Sequence, residues 1–156
     1  MSQRTARAAV AAPLDPHRVG HEWLAVLAEV PLFNGLSKRH LRRIAKLAHL
    51  RRFAPDSTLI RAGEPGRAFY VLLDGNARVI RPRGRARRLG VGDYFGEMAL
   101  LDGATRSADV VAEGEVLALT IGTSHFAKLL RAEPALAQAL LRGLAARLRA
   151  AERAEA

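Results

Sequence analysis

The chain has 156 residues, with 25 Lys and Arg against 15 Asp and Glu, a formal charge of +10, one Trp, no Cys and 49% hydrophobic residues. A chain of this length buries roughly 68–70% of its unfolded surface, so one core suffices, and the absence of cysteine excludes a disulfide framework, a thiolate zinc site, an iron–sulfur cluster and a cysteine nucleophile. No apolar run approaches the roughly 18 residues of a membrane span and the N-terminus lacks the apolar stretch of a secretory signal, so no membrane insertion is expected and the expected location is cytoplasmic.

Residues 1–13 are small, polar and basic, and read as a flexible basic tail. One domain is expected over 14–156. Trp23, Leu24, Val26, Leu27 and Val30 recur at helical spacing, predicting a helix over 19–30 that Pro31 stops. A second amphipathic helix is expected over 38–49: Ser37 stands at its N-cap, and Leu41, Ile44, Ala45, Leu47 and Ala48 form one stripe opposite the basic residues.

From 51 to 122 the period changes. Short apolar runs at 57–60, 68–73, 77–80, 88–91, 107–112 and 116–121 alternate with turn signals, among them Asp74-Gly75-Asn76, Arg83-Gly84 and Glu113-Gly114-Glu115. So many short strands at regular spacing predict a barrel. Helical period returns over 124–153, first as a short segment and then as a long Ala-, Leu- and Arg-rich helix with Pro134 at its first position. The fold class is therefore α+β: a β jelly-roll barrel with N-terminal helices, a short helix within it and a C-terminal helix.

Basic residues concentrate in two places, Lys38 to Arg52 and Arg81 to Arg88. Neither is interleaved with aromatics, so a base-stacking platform is poorly supported and a solvated basic face is the favoured reading. Catalytic and metal chemistry also lack their residues. His17, His21, His40 and His49 fall in the expected tail and helices, His125 follows the last strand, and no His-x-His pair lies in the barrel. No nucleophilic triad is evident among the Ser, Thr and His residues.

One stretch breaks the strand pattern. Gly92-Asp93-Tyr94-Phe95-Gly96-Glu97-Met98-Ala99-Leu100-Leu101-Asp102-Gly103 contains a sharp entry at Gly96, helix formers from Glu97 to Leu101, and a stop at Asp102-Gly103. The start of such a short helix presents unpaired amides that favour a phosphate. Arg106, at the entry to a strand, can add a charge-assisted grip on that phosphate. Glu97 can accept a hydrogen bond from a sugar hydroxyl. Together these residues suit a nucleotide and carry no catalytic machinery.

At this point the chain resembles a known family. Leu32-Phe33, Gly63-Glu64-Pro65-Gly66 before Tyr70-Val71-Leu72, Gly75, Gly92-Asp93-Tyr94-Phe95-Gly96-Glu97 and Arg106-Ser107-Ala108 are similar to the cyclic nucleotide-binding domain shared by catabolite activators, kinase regulatory subunits and gated channels. The resemblance covers residues 32–150, about three quarters of the chain, and implies that the stretch from Gly92 to Ala108 carries a phosphate-binding cassette. It implies that Glu97 holds the ribose 2′-hydroxyl and Arg106 the cyclic phosphate. Gly96, Met98, Ala99 and Ser107 would add amides or close contacts, and Val71, Leu73 and Phe95 would form wall. The chain departs from the family's commonest pattern at Thr105 and Asp109. A carboxylate at Asp109 turned towards the phosphate would weaken binding.

The ligand implied is cyclic AMP, with cyclic GMP as the alternative; no cofactor and no enzymatic activity are expected. The Leu stripe of the last helix serves either as plain core or, as the resemblance implies, as a lid and dimer seam, with the base stacked under Leu141, Leu144 or Arg147. A homodimer through that helix follows from the second use. No DNA-binding helix pair or other output segment accompanies the barrel, so the expected role is a stand-alone sensor module that passes occupancy to a separate effector protein. Two other readings are a nucleic-acid-associated regulator using the basic surface and a degenerate, non-binding interaction domain.

Overall fold

Proline shapes the first described elements of the computed structural model, which covers residues 23–81 and 86–155. Helix α1, Leu24–Ala28, ends before Val30, and a 3-10 turn occupies Pro31–Phe33. The expected tail 1–13, the start of the expected helix at 19, and the turn at Arg83-Gly84 lie outside the described residues. Helix α2, Lys38–Leu47, starts where Ser37 caps it by accepting the His40 amide at 3.4 Å. Its Leu41, Ile44 and Ala45 are buried, while Lys38, Arg39, Arg42, Arg43 and Lys46 are exposed.

The helix expected over 38–49 ends two residues early. Ala48 begins strand β1, Ala48–Phe53, because a partner distant in sequence claims it: Ala48 pairs with Ile121 and the ladder runs to Phe53 opposite Val116. His49 therefore lies on a strand, and the sheet begins before the expected residue 51. The remaining strands are β2 (Thr58–Ile60), β3 (Ala68–Ile80), β4 (Arg87–Leu89), β5 (Tyr94–Phe95) and β6 (Asp109–Gly122). All pair antiparallel, in the order β1-β6-β3-β4, with β2 also on β6 and β5 on β3. This is the jelly-roll arrangement with flanking helices.

Two expected hairpins are absent. Asp74-Gly75-Asn76 and Glu113-Gly114-Glu115 lie inside continuous strands, where the β3–β6 register shifts around Asp74 and Asn76. Gly75 and Gly114 both take positive φ. Their turn residues bend the paired strands by bulging instead of reversing the chain.

Alternation along β3 and β6 explains why both read as unbroken apolar runs. Phe69, Val71 and Leu73, with Leu117, Leu119 and Ile121, face the helices. Tyr70 and Leu72, with Val116 and Ala118, face the barrel interior. Over the helical face lie α4 (Thr123–Ala132) and α5 (Pro134–Glu155), where Phe126 stacks on Phe69 at 4.7 Å and Leu136 and Leu140 close the core. Among the described residues no helix is long and apolar enough to cross a membrane.

Candidate functional site

The stretch that broke the strand pattern folds as helix α3, Glu97–Asp102, bounded by glycines in left-handed conformation: Gly96 with φ +92° and Gly103 with φ +72°. At Gly96 glycine is required twice over. A Cβ there would sit 2.9 Å from the Ala68 carbonyl oxygen and 3.0 Å from the Arg106 guanidinium, besides the strain of the backbone.

Arg106, 8% exposed, reaches back beneath this turn. Its Nη1 donates to the Gly96 carbonyl at 2.5 Å and its Nη2 to the Ala68 carbonyl at 2.7 Å, tying the helix entry to the first residue of β3. Burial lowers the Arg106 pKa from its ordinary value, while Tyr70 and Glu97 oppose the shift. It remains a cation at neutral pH, with donors beyond the two engaged here.

Glu97 is 1% exposed, so its carboxylate needs a partner. That partner comes from α5. The Nη1 of Arg147 forms an ion pair with Glu97 Oε1, and its Nη2 donates to the Tyr94 carbonyl at 2.9 Å. The same guanidinium lies 4.8 Å from the centroid of the Tyr94 ring. Burial pushes the Tyr94 phenol pKa up, with Arg147 opposing it.

These groups border a cavity of about 210 Å³. Ile60, Val79, Leu89 and Val110 give it an apolar wall, and Gly96, Glu97, Met98, Ala99, Arg106 and Ser107 all line it. The fold thus brings all six sequence-selected residues together. Of the expected wall residues, only Phe95 belongs there; Val71 and Leu73 point to the helical core, because β3 alternates and its barrel-facing residues are Tyr70 and Leu72. Of the α5 candidates, Arg147 lines the cavity, whereas Leu141 is 65% exposed and Leu144 lies half-buried elsewhere.

The two departures in the cassette have structural roles. Asp109 Oδ1 accepts the Ala62 amide at 2.6 Å, so its charge is spent on fixing the β2–β3 loop. Thr105 forms an isolated bridge with Pro65 in that same loop. Among the described residues no group of three or more His, Asp or Glu is placed to hold a metal.

Gly143, not singled out in the sequence, is a packing position beside the site. It touches the Tyr94 hydroxyl so closely that a Cβ has no room. Gly143→Ala should improve the intrinsic helix propensity of α5 by about 1 kcal/mol, yet overpacking of this kind costs about 1–3 kcal/mol. Hydrogen–deuterium exchange should therefore be faster across α5 in the variant, and Tyr94→Phe should restore most of the protection. Unchanged exchange would mean that α5 does not rest on Tyr94.

An antiparallel barrel with a short helix between its strands, one buried acid and one buried arginine bordering an apolar cavity, defines a ligand-binding jelly roll. Residues 50–133 match the family described as the cyclic nucleotide-binding domain, and the chain belongs to it. It is 36% identical over 104 residues to the cAMP-dependent protein kinase regulatory subunit of Hypocrea atroviridis, covering 67% of this chain and 22% of that protein. The Thermus thermophilus catabolite activator protein superposes with a TM-score of 0.72 at 33% identity, covering 78% of this chain and 60% of that one. The regulatory subunit of a cAMP-independent protein kinase A from Trypanosoma brucei superposes with a TM-score of 0.71 at 27% identity, covering 78% of this chain and 44% of that one. The chain spans about a quarter of the length of the curated relatives it matches.

Proposed function

We propose that this domain binds cyclic AMP in the cavity beside α3 and passes its occupancy to a separate partner through movement of α4 and α5. The observation that carries the reading is that Glu97 and Arg106, both buried, converge on one apolar-walled cavity. In it Arg106 takes the cyclic phosphate and Glu97 accepts the ribose 2′-hydroxyl. Gly96, Met98, Ala99 and Ser107 supply amides and close contacts, and the aliphatic wall holds the purine. The role is binding without turnover.

Arg147 gives the relay its physical link. Because it joins α5 to Glu97, the acid that meets the ligand also holds the helix that reports it. A ligand that favours one placement of α5 shifts the population towards it by no more than its differential affinity.

Calorimetry with cyclic AMP and then cyclic GMP tests the binding, and limited proteolysis over 124–150, with and without saturating nucleotide, tests the relay. Tighter binding of cyclic AMP and an altered cleavage pattern are expected. Absence of heat with either nucleotide would overturn the sensor, tighter cyclic GMP binding would change the ligand, and unchanged cleavage at saturation would overturn the relay. Light scattering of the same samples reads whether Leu141 and Leu148, exposed on α5, join two copies.

A further inference from the structure

The side of the molecule formed by α2 and α4 has a charge pattern that the nucleotide site does not use. Helix α2 carries five Lys and Arg and α4 carries two, and neither contains an acid. Between them lies a groove of about 300 Å³ lined by Arg43, Lys46, Leu47, Lys128, Leu129 and Ala132, none of which borders the nucleotide cavity. Its floor is apolar: Leu129 is buried and Leu47 half-buried. Lys46 and Lys128 are exposed at its rim and, among the described residues, make no ion pair.

The acid that follows Ala132 in the chain is already committed. Glu133, 1% exposed at the junction of α4 and α5, accepts Arg43 at 3.1 Å and lies 3.3 Å from His40 Nε2. The lysines are thus left for an outside anion, while the floor calls for an apolar group. A cavity of about 150 Å³ already accepts a benzene ring, so this groove has room for one aromatic side chain.

We propose that the groove between α2 and α4 docks an acidic peptide segment of a separate protein, with one apolar side chain on Leu47, Leu129 and Ala132 and carboxylates on Lys46 and Lys128. A phosphate backbone would use the cations and leave the floor uncovered; a peptide uses both. Because one wall belongs to α2 and the other to α4, displacement of α4 alters the width of the groove. That coupling rests on the proposed function above, whereas the docking stands without it.

The test is fluorescence anisotropy of the whole chain with a labelled peptide of aspartate and glutamate around a single central phenylalanine. Lys46→Glu combined with Lys128→Glu should weaken binding about tenfold or more. Replacing the peptide's phenylalanine by serine, or filling the floor with Ala132→Tyr, should weaken it without changing its salt dependence. Thermal unfolding followed by Trp23 fluorescence establishes that the variants fold. Binding unaffected by the charge reversal, or by loss of the phenylalanine, overturns the proposal. Displacement of the peptide by random duplex DNA or phosphatidylserine vesicles, with tighter binding of either through the same lysines, also overturns it and assigns the face to nucleic acid or lipid. Saturating cyclic AMP should change peptide affinity about threefold or more, equal to about 0.7 kcal/mol. Calorimetry on the same sample shows whether nucleotide is bound. Unchanged peptide affinity with nucleotide bound overturns the coupling; no nucleotide bound overturns the sensor reading and leaves docking to the peptide result.

Discussion

Arg106→Ala should lower the affinity for cyclic AMP by about 100-fold or more. Each hydrogen bond to a charged group contributes about 1.5–3 kcal/mol, and a cyclic phosphate engages the guanidinium fork with two of them. At 1.4 kcal/mol per tenfold, even the lower figure for two bonds gives about two decades. The substitution also removes the ties to the Gly96 and Ala68 carbonyls, so some of the loss comes from a displaced α3 entry. Arg106→Lys separates the two contributions: it keeps the charge and loses the fork, and should bind with intermediate affinity. Calorimetry reads the affinities, and unfolding followed at Trp23, the one tryptophan and fully buried, reads the fold. Equal binding by the alanine variant would remove Arg106 from the phosphate site.

The second large effect belongs to Glu97 and Arg147. Arg147→Ala strands a carboxylate that is 1% exposed, a change that costs about 3–5 kcal/mol when both partners are fully buried. Arg147 is 29% exposed, so water recovers some of this and about 2 kcal/mol is expected. For a chain of this length that lowers Tm by about 4–8 °C. Glu97→Gln alone should destabilise less, because the neutral amide still bonds to Arg147 and carries no charge to strand. The double variant should lie well short of the sum of the two single ones, as expected for residues in direct contact. Glu97→Gln should also weaken cyclic AMP by roughly tenfold, since a charged acceptor for the ribose hydroxyl is worth about 1.5–3 kcal/mol against about 1 for a neutral one. Additive losses in the cycle would mean that the ion pair carries no stability.

The cassette was legible because its signals are local. Gly96, the helix formers after it, Asp102-Gly103 and Arg106 lie within eleven consecutive residues; the first three take in the fold the backbone roles their types suggest, and Arg106 reaches the same cavity. The errors are non-local. Ala48 and His49 continue the amphipathic pattern of α2 acceptably, and only β6, some seventy residues later, draws them into a strand. The glycines at 75 and 114 look like hairpin turns one at a time, and are bulges only because β3 and β6 stay paired on both sides of them in one long ladder. Arg147 could be named as a candidate lid residue, but its bond to Glu97 spans fifty positions and has no trace in periodicity. Gly143 did leave a trace. A glycine inside a helix of Ala, Leu and Arg marks a close approach, here by Tyr94. Asp109 could be seen as a departure, but its partner, the Ala62 amide, lies across the barrel mouth.

Strand β6 pairs with β1, β2 and β3, and it is the last strand in the chain. On a ribosome, therefore, β1, β2 and β3 all emerge before their main partner exists. Until residue 122 clears the exit tunnel, the apolar side chains from Phe69 to Leu73 have only the two-residue ladder to β5 to join, and closure then requires pairing between residues as distant as Ala48 and Ile121. Folding of such a topology is slow and late. Nascent chains that stall before Asp109 should remain protease-sensitive and sticky, whereas those released past Gly122 acquire the barrel in a single cooperative step.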